Sequence, residues 1–399
     1  MSEKRRVRLV MGLSFLIFVG SLMVGFGLAN KKPLWGDEIR SQAVSVERLT
    51  PRQIISGRFI GRSEGNVSPL FYLIQKGISA LFDYKYSGRL EEGFQDLKGQ
   101  VLLRVSPNIF MALSASMIFY FFSRYYSLWT GCYSLFLFFS SFMVWVYWAE
   151  ARPYAQWLWG TTAQSLFFLR ILEKGKMNSR IWIGITATHF ILSLTIIFSL
   201  VQIAIVTLLL WLRGERDYKK HFLSAALPGV VCLYYFFHAP QYKYLFKTSP
   251  LELIDSNFPM ELCFVILFYA VWRIGSLIAG RKKRESSDTA CFFEKDRAGL
   301  RSGMFYLAFT VLMVLAAFAV SASFMVFARE GEVYAVSERY FIYLTPVGII
   351  SATFFSDRLV KGFQKQRWML VNVFMSLGGL MVIRFIKIVM NLHLLGLFL

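Results

Sequence analysis

The chain has 399 residues, of which 56% are hydrophobic, 17% are aromatic and 40 are phenylalanine. This composition excludes an ordinary soluble domain and is typical of a protein with many membrane-spanning helices. The net charge of +20 does not indicate nucleic-acid binding, because most Lys and Arg residues lie in short segments between apolar runs and no basic helix with a groove-reading face is present.

The first apolar run, residues 7–29, is long enough to span a bilayer as a helix. The basic cluster Lys4 to Arg8 precedes it, which predicts an uncleaved anchor with a cytosolic N-terminus. The acidic pair Asp37-Glu38 follows a few residues beyond the far membrane surface, directly after Pro33-Leu34-Trp35-Gly36. Such a pair is either a solvated loop face or the reactive edge of a membrane enzyme.

Residues 30–100 are predicted to form a long outer loop that contains two amphipathic helices. In the first, Ile39, Ala43 and Val46 recur at helical spacing with charged residues between them, and Pro51 is expected to end it. The second is predicted to run from Ser68-Pro69 to Phe82. Because this run is shorter than a span requires, we expect it to lie at the membrane surface.

The remaining apolar runs predict about ten further spans, which brings the total to about eleven. They lie at residues 101–122, 126–148, 153–172, 181–212 (two short spans that turn near 193–195), 222–238, 259–279, 303–327, 340–356 and 368–390. The short basic segments between them are expected on the cytosolic side. The sequence therefore predicts an all-α polytopic membrane protein with a single transmembrane domain over residues 1–399.

Two further motifs carry charge at predicted outer membrane boundaries. They are Glu150-Ala151-Arg152-Pro153-Tyr154 and Ser337-Glu338-Arg339-Tyr340. Both have an alternative interpretation as interface anchors, since Arg snorkels and Tyr favours headgroups. However, the topology places both motifs on the same face as Asp37-Glu38. Such a face offers carboxylates for base catalysis and guanidinium groups for an anionic leaving group.

No competing catalytic or metal motif is evident in the sequence. It has no HExxH, GxSxG or Walker lysine loop, and we interpret His189 and His238 as structural. The four cysteines indicate neither a disulfide framework nor a zinc site. Oxygen atoms of Asp37, Glu38 and Glu150 could hold a divalent cation, but without a dedicated loop the sequence assigns no cofactor.

The ordered set of motifs resembles the GT-C superfamily of membrane glycosyltransferases. The similarity is strongest to the bacterial family 39/83 type, with relatives among protein mannosyltransferases and the aminoarabinose transferase of lipid A. The motifs that carry the resemblance are Asp37-Glu38, Ser68-Pro69-Leu70-Phe71-Tyr72, Leu103-Arg104-Val105-Ser106, Glu150-Ala151-Arg152-Pro153-Tyr154 and Glu338-Arg339-Tyr340.

The resemblance implies an inverting transfer of sugar from a polyprenyl-phosphate donor to an acceptor hydroxyl on a lipid, glycan or protein. It implies an active site on the outer face of a membrane protein, which we expect in a bacterial inner membrane. The expected catalytic residues are then Asp37, which acts at the acceptor, and Glu38 beside it. The residues expected to bind substrate are Arg104, Glu150, Arg152, Tyr154, Arg339 and Tyr340.

Two alternatives remain open from the sequence alone. A non-enzymatic lipid or polysaccharide transporter can also present an Arg-lined outward cavity, although transporters more often carry charges within several spans and broken helices in matched halves. A membrane scaffold without chemistry is the third interpretation.

Overall fold

A computed structural model of the protein describes residues 2–59, 68–86, 97–174, 178–214, 218–238, 249–258, 260–282, 290–326, 338–363 and 367–394. The regular structure of these segments is helical throughout, with no strand among them, which confirms the all-α prediction. Helices satisfy their own backbone hydrogen bonds, as a lipid environment requires. The predicted outer loop is described in part, since its residues 60–67 and 87–96 lie outside these segments.

The described residues form seventeen α-helices, a π-helix and a 3₁₀ helix. The α-helices are α1 (Glu3–Lys31), α2 (Gly36–Arg40), α3 (Pro51–Ile55), α4 (Leu70–Leu81), α5 (Leu97–Leu102), α6 (Val105–Tyr125), α7 (Leu128–Phe139), α8 (Phe142–Trp148), α9 (Tyr154–Lys174), α10 (Ser179–Thr195), α11 (Ser199–Leu212), α12 (Tyr218–His238), α13 (Pro250–Asn257), α14 (Met260–Lys282), α15 (Ala290–Val326), α16 (Leu344–Phe363) and α17 (Arg367–Leu394). The π-helix Ser41–Val46 continues α2, and the 3₁₀ helix Glu338–Phe341 precedes α16.

Both amphipathic helices predicted within residues 30–100 are present, with one difference at their boundaries. α4 occupies the second predicted segment and ends one residue before Phe82. The first runs through α2 and the π-helix and ends at Val46, before Pro51 is reached. Pro51 instead opens α3, where Thr50 Oγ1 accepts a hydrogen bond from the backbone N–H of Gln53. Proline suits the first position of a helix because a backbone N–H at that position would have no hydrogen-bond partner within the helix.

Several helices have the length and hydropathy of membrane spans. Within the described residues, four stretches are long and apolar enough to cross a bilayer: Glu3–Lys31, Leu97–Tyr125, Lys219–His238 and Arg301–Ser321. Counting bent helix pairs as single spans raises this number to six, and one such pair is α7 and α8, which bend by 67°. The chain is therefore an integral membrane protein, and the total of about eleven spans stays a prediction.

The apolar stretch 181–212 divides into two helices, as predicted. α10 ends at Thr195 and α11 begins at Ser199, so the turn lies just beyond the expected position. Two polar contacts hold this turn: the Thr195 hydroxyl bonds back to the Ile191 carbonyl, and the Thr195 carbonyl accepts the backbone N–H of Ser68 at 3.0 Å. The turn is thereby tied to the start of the second amphipathic segment.

The helices surround a core rich in aromatic residues. α6 packs against α1, α7 and α9, while α16 packs against α9, α14 and α15. Trp148 and Trp157 are fully buried, and Tyr306 packs among Phe168, Phe309 and Phe354. This packing fixes the ends of the helices relative to one another.

The helices end at two polar ends of the molecule, called here the loop end and the basic end. At the loop end, α2, the π-helix, α3 and α4 lie beside the ends of α1, α10 and α12, and the Tyr235 hydroxyl of α12 donates to the Ile55 carbonyl at 2.7 Å. At the basic end, Arg6 donates to the carbonyls of Ser123 and Tyr126. Arg124 pairs with Glu3 at that same end, at 3.0 Å.

Candidate active site

The start of α2 determines where the two acidic residues point. Glu38 is the third residue of this helix, and its Oε2 accepts the backbone N–H of Trp35, which precedes the helix, at 3.1 Å. Leu34 and Ile39 flank this turn and are both fully buried in one apolar cluster. This arrangement of a back-bonding Glu and an apolar pair is the usual way a helix N-terminus is fixed. It turns Glu38 inward and leaves Asp37 partly exposed.

Glu38 forms a buried, two-pronged ion pair with Arg104. Its Oε1 accepts from Arg104 Nε at 3.0 Å and its Oε2 from Arg104 Nη2 at 2.7 Å, with both side chains fully buried. The other Arg104 donors bond to the carbonyls of Ala29 in the last turn of α1 and of Lys32 and Pro33 just beyond it. All five guanidinium N–H donors are therefore engaged within the protein.

The motif between α8 and α9 joins the same network. The backbone N–H of Ala151 donates to Glu38 Oε1 at 2.5 Å. Arg152 is buried, and its Nη1 donates to the backbone carbonyl of Asp37 at 3.1 Å and to the Ser41 hydroxyl at 2.6 Å. Burial lowers the pKa of Arg152, while Tyr154 and Asp37 oppose that shift. The structure thus brings the first two charged motifs into direct contact.

The third motif supplies a cation to Asp37. Arg339 Nη1 lies 3.3 Å from Asp37 Oδ2, and the carboxylate side chain remains 39% exposed. Burial by itself would lower the pKa of Arg339, but Tyr154, Tyr340 and Asp37 raise it above its ordinary value. Arg339 therefore stays a cation beside a carboxylate that solvent or a substrate can reach.

Aromatic rings surround the Arg339 guanidinium. The ring centroids of Trp35, Tyr154 and Tyr340 lie 5.9, 6.0 and 5.5 Å from it. These distances fall within the range of cation–π attraction. Tyr154 also packs against Tyr147, with ring centroids 4.9 Å apart. The exposed carboxylate and its guanidinium thus sit beside flat apolar surfaces.

Glu150 lies in the same region but is not ion-paired in the way Glu38 is. It is buried, and its Oε1 makes no hydrogen bond within the described part of the chain. Burial raises the pKa of Glu150 to about 8; Lys32 opposes this shift and Glu38 adds to it. Glu150 is therefore largely protonated at neutral pH, and a protonated carboxyl can donate a hydrogen bond.

Three residues in this arrangement escaped the sequence analysis. Ser41 follows Asp37 by one helical turn and holds Arg152, so the amphipathic spacing could have indicated it. Asn257 of α13 donates to the Glu338 carbonyl at 2.7 Å, and no short motif marks it. Lys32 donates to the Val146 carbonyl at 3.2 Å. All three contacts join residues that are far apart in the chain, and a short sequence motif does not show such contacts.

The acidic residues that the structure describes do not assemble into a metal centre. Among the described residues, no group of three or more His, Cys, Asp or Glu side chains is placed to hold a metal ion. Asp37, Glu38 and Glu150 therefore do not converge as metal ligands in this arrangement.

Two crystal structures of ArnT from Cupriavidus metallidurans have a similar architecture. The structure bound to undecaprenyl phosphate matches with a TM-score of 0.55 and 13% sequence identity, and the match covers 87% of this chain and 60% of the ArnT chain. The apo structure matches with a TM-score of 0.52 and 13% sequence identity, and the match covers 89% of this chain and 62% of the ArnT chain. The chain thus spans about three fifths of the length of ArnT.

No protein-family model and no curated protein matches the sequence. At this level of identity, the structural likeness establishes the fold alone. The fold is GT-C-like, as the resemblance of the motifs predicted.

Proposed function

Starting from this GT-C-like fold, we propose that the protein is a membrane glycosyltransferase that moves a sugar from a polyprenyl-phosphate donor to an acceptor hydroxyl. The observation that carries the proposal is the partly exposed Asp37 carboxylate 3.3 Å from Arg339 at the loop end. A base beside a phosphate-binding cation is the pair that such a transfer requires. The structurally similar ArnT binds undecaprenyl phosphate, which supports a lipid phosphate as the donor group.

In the proposed reaction, Asp37 accepts the proton of the acceptor hydroxyl. The hydroxyl oxygen attacks the anomeric carbon of the donor sugar while the bond to the phosphate oxygen breaks, so the configuration at that carbon inverts. The polyprenyl phosphate leaves with the bonding electron pair, and Arg339 stabilises its charge. Without a bound phosphate, the Arg339 guanidinium donates a hydrogen bond to the Asp37 carboxylate. A bound phosphate competes for the guanidinium and releases the carboxylate for base catalysis.

The geometry favours different roles for the two neighbouring acids. Glu38 accepts four hydrogen bonds, from Trp35, Arg104 (two) and Ala151, and is buried. It has no exposed atom with which to take a proton from an acceptor. We therefore assign base catalysis to Asp37 alone and a positioning role to Glu38. Arg104, whose five donors are all engaged, is assigned the same positioning role in place of the expected substrate contact.

The other site residues divide between positioning and substrate contact. Arg152 holds the backbone carbonyl of Asp37, which supports a positioning role. Tyr154 and Tyr340 flank Arg339, and we propose that their rings border the donor sugar. We propose that Glu150 offers a neutral carboxyl as a hydrogen-bond donor at the same site.

The proposal includes an outward-facing site in a bacterial inner membrane. Its support is the charge pattern, because the end of the molecule opposite to Asp37 carries Arg6, Arg124 and Arg301. Basic residues near short loops favour the cytosolic side. Acceptor hydroxyls of glycans, lipids and proteins are all accessible on the outer side.

Transfer from the lipid is the decisive measurement. Purified protein in detergent is incubated with a radiolabelled polyprenyl-phosphate sugar and candidate acceptors, and the release of label from the lipid is followed. Label that moves to an acceptor in wild type and not in Asp37→Asn supports the proposal. Retention of all label on the lipid, combined with its movement across the bilayer of reconstituted vesicles, would identify a transporter. Absence of both activities would favour the scaffold.

A further inference from the structure

A large apolar groove lies between α11 and α12, outside the candidate active site. Its volume is about 1060 Å³, and its walls are formed mainly by aliphatic and aromatic side chains of the two helices. Leu208, Leu223 and Val230 line it and are exposed on the protein surface. In a membrane protein this groove opens towards lipid, so an apolar occupant fits its chemistry.

The length of the groove matches an extended hydrocarbon chain. Lining residues extend from Leu200 to Trp211 on α11 and from Lys219 to Leu233 on α12. At 1.5 Å per residue, these stretches are roughly 17 and 21 Å long, more than half the thickness of a bilayer core. A chain that fills the groove therefore reaches from one membrane surface past the midplane.

A structural proline determines the course of one wall. Pro228 lies within α12 and has no backbone N–H, so the carbonyl of Ser224 loses its partner within the helix. The His189 side chain of α10 replaces the missing partner, with its Nδ1 3.2 Å from the Ser224 carbonyl oxygen. The wall is thus secured from behind by α10, and His189 has the structural role expected from the sequence.

The groove is charged at one end only. Lys219 and Trp211 line this end, and Lys219 is exposed. Among the ion pairs of the described residues, none involves Lys219. An ammonium group beside an indole at the membrane surface is a suitable environment for a lipid phosphate.

This charged end lies far from Asp37. Lys219 is the second residue of α12. The same helix reaches the loop end at Tyr235, whose hydroxyl donates to the Ile55 carbonyl. The Lys219 end therefore belongs to the basic end of the molecule, in the leaflet opposite to the candidate active site. A donor whose phosphate meets Arg339 cannot place the same phosphate at Lys219.

We propose that this groove is a binding site for an acidic phospholipid of the leaflet at the basic end. The phosphate lies at Lys219, and an acyl chain runs between α11 and α12 towards Leu233. Apolar burial holds the chain, and the Lys219 charge selects the headgroup. The site is separate from the proposed transfer reaction, and its test does not depend on that reaction.

Quenching of Trp211 fluorescence tests the headgroup selection. Full-length protein is reconstituted in phosphatidylcholine vesicles that contain brominated phosphatidylglycerol or brominated phosphatidylcholine. The contribution of Trp211 is the difference between wild type and Trp211→Phe. Trp129 is 85% exposed at the start of α7, also at the basic end but away from the groove, and Trp129→Phe provides the matched reference.

We expect Trp211 to associate with the anionic lipid about five-fold more strongly than with the neutral one, since one Lys near a surface contributes about that factor. Lys219→Gln should abolish this preference. Lys220→Gln, which removes the same charge one residue away from the groove lining, should preserve it. Equal quenching by the two lipids, an equal preference at Trp129, or an equal effect of both Lys variants would overturn the proposal.

Discussion

Asp37 and Glu38 are adjacent, yet their carboxylates meet opposite surroundings. About 100° of helix rotation separates them, so one residue enters the buried network and the other reaches the exterior. Glu38 is 1% exposed and ion-paired, whereas the Asp37 side chain is 39% exposed beside Arg339. At the scale of single residues, this difference in accessibility makes Asp37, and not Glu38, the carboxylate that can be reached from outside the protein.

Asp37→Asn should lower the rate of sugar transfer by about 10²- to 10⁴-fold, because an amide keeps the shape but accepts no proton. The unfolding temperature in detergent should change little, since the side chain is partly exposed. Asp83→Asn is the matched control: Asp83 is exposed, and its φ of 43° is one that Asn also adopts. A near-normal rate for Asp37→Asn would transfer the base role to another residue.

Arg339→Lys should lose almost as much activity as Arg339→Ala. One ammonium group cannot reproduce the planar fork that binds phosphate oxygens. We expect a loss on the order of 1.5–3 kcal/mol, or about ten- to a hundred-fold in kcat/KM for the donor. Arg52→Lys, at an exposed position of α3, should be neutral. If Lys at position 339 supports wild-type kinetics, Arg339 contributes only charge or an interface anchor.

Glu150→Gln should change how stability depends on pH. The folded pKa of Glu150 is about 8, well above its unfolded value near 4.5, so the folded state binds more protons between these values. Its contribution to the free energy of unfolding is therefore greatest below pH 4.5. This contribution falls by at most about 1.4 kcal/mol per pH unit up to about pH 8 and is constant above that pH. Glutamine removes this decline.

Thermal unfolding of wild type and Glu150→Gln at pH 5, 6.5 and 8 measures the effect. The unfolding temperature of the variant relative to wild type should rise across this series. A constant difference between the two proteins would show that Glu150 does not titrate in this window.

At the scale of helices, basic side chains complete the hydrogen bonding of several C-terminal ends. Arg6 donates to carbonyls at the end of α6, Arg213 to Ile171 and Leu172 of α9, and Arg104 to the end of α1. The last carbonyls of a helix have no partner within it, and a lipid environment supplies none. Arg104 therefore couples the end of α1 to Glu38, and the site depends on how α1 is packed.

Two glycines of α1 test this dependence. A Cβ at Gly25 would lie 2.5 Å from Trp148 Nε1 and 2.7 Å from Asn108 Oδ1, whereas a Cβ at Gly20 would have nothing within 4 Å. Gly25→Ala should therefore destabilise the protein by about 1–3 kcal/mol through overpacking. Gly20→Ala should stabilise it slightly, through helix propensity. Thermal unfolding compares the two, and equal behaviour would contradict the close packing of α1 on α6 and α8.

At the scale of the whole molecule, the loop end and the basic end should lie on opposite sides of the membrane. In a variant whose native cysteines are replaced, Ser56→Cys at the loop end should react with an impermeant thiol reagent in intact cells. Ser2→Cys should react only after permeabilisation. Both residues are exposed, so access depends on sidedness. The reverse labelling pattern would reject the proposed outward-facing site.

Local sequence patterns are sufficient to predict the class of fold and the position of several elements. Hydrophobic runs and basic loops indicated an all-α membrane protein, and amphipathic spacing located α2 and α4 within a few residues. The split between α10 and α11 was also predictable from length and charge. These features are local: each depends on residues close together in the chain, where helical periodicity and charge are directly legible.

Only the tertiary structure distinguished among the charged residues of the motifs. Sequence patterns alone left both Asp37 and Glu38 as catalytic candidates, with Asp37 preferred, and both Arg104 and Arg339 as candidates for binding substrate. The difference arises from contacts between residues 66 to 302 positions apart, namely Glu38 with Arg104 and Asp37 with Arg339. Burial and saturation of hydrogen bonds depend on which helix ends meet, and this three-dimensional packing is not encoded in any local pattern.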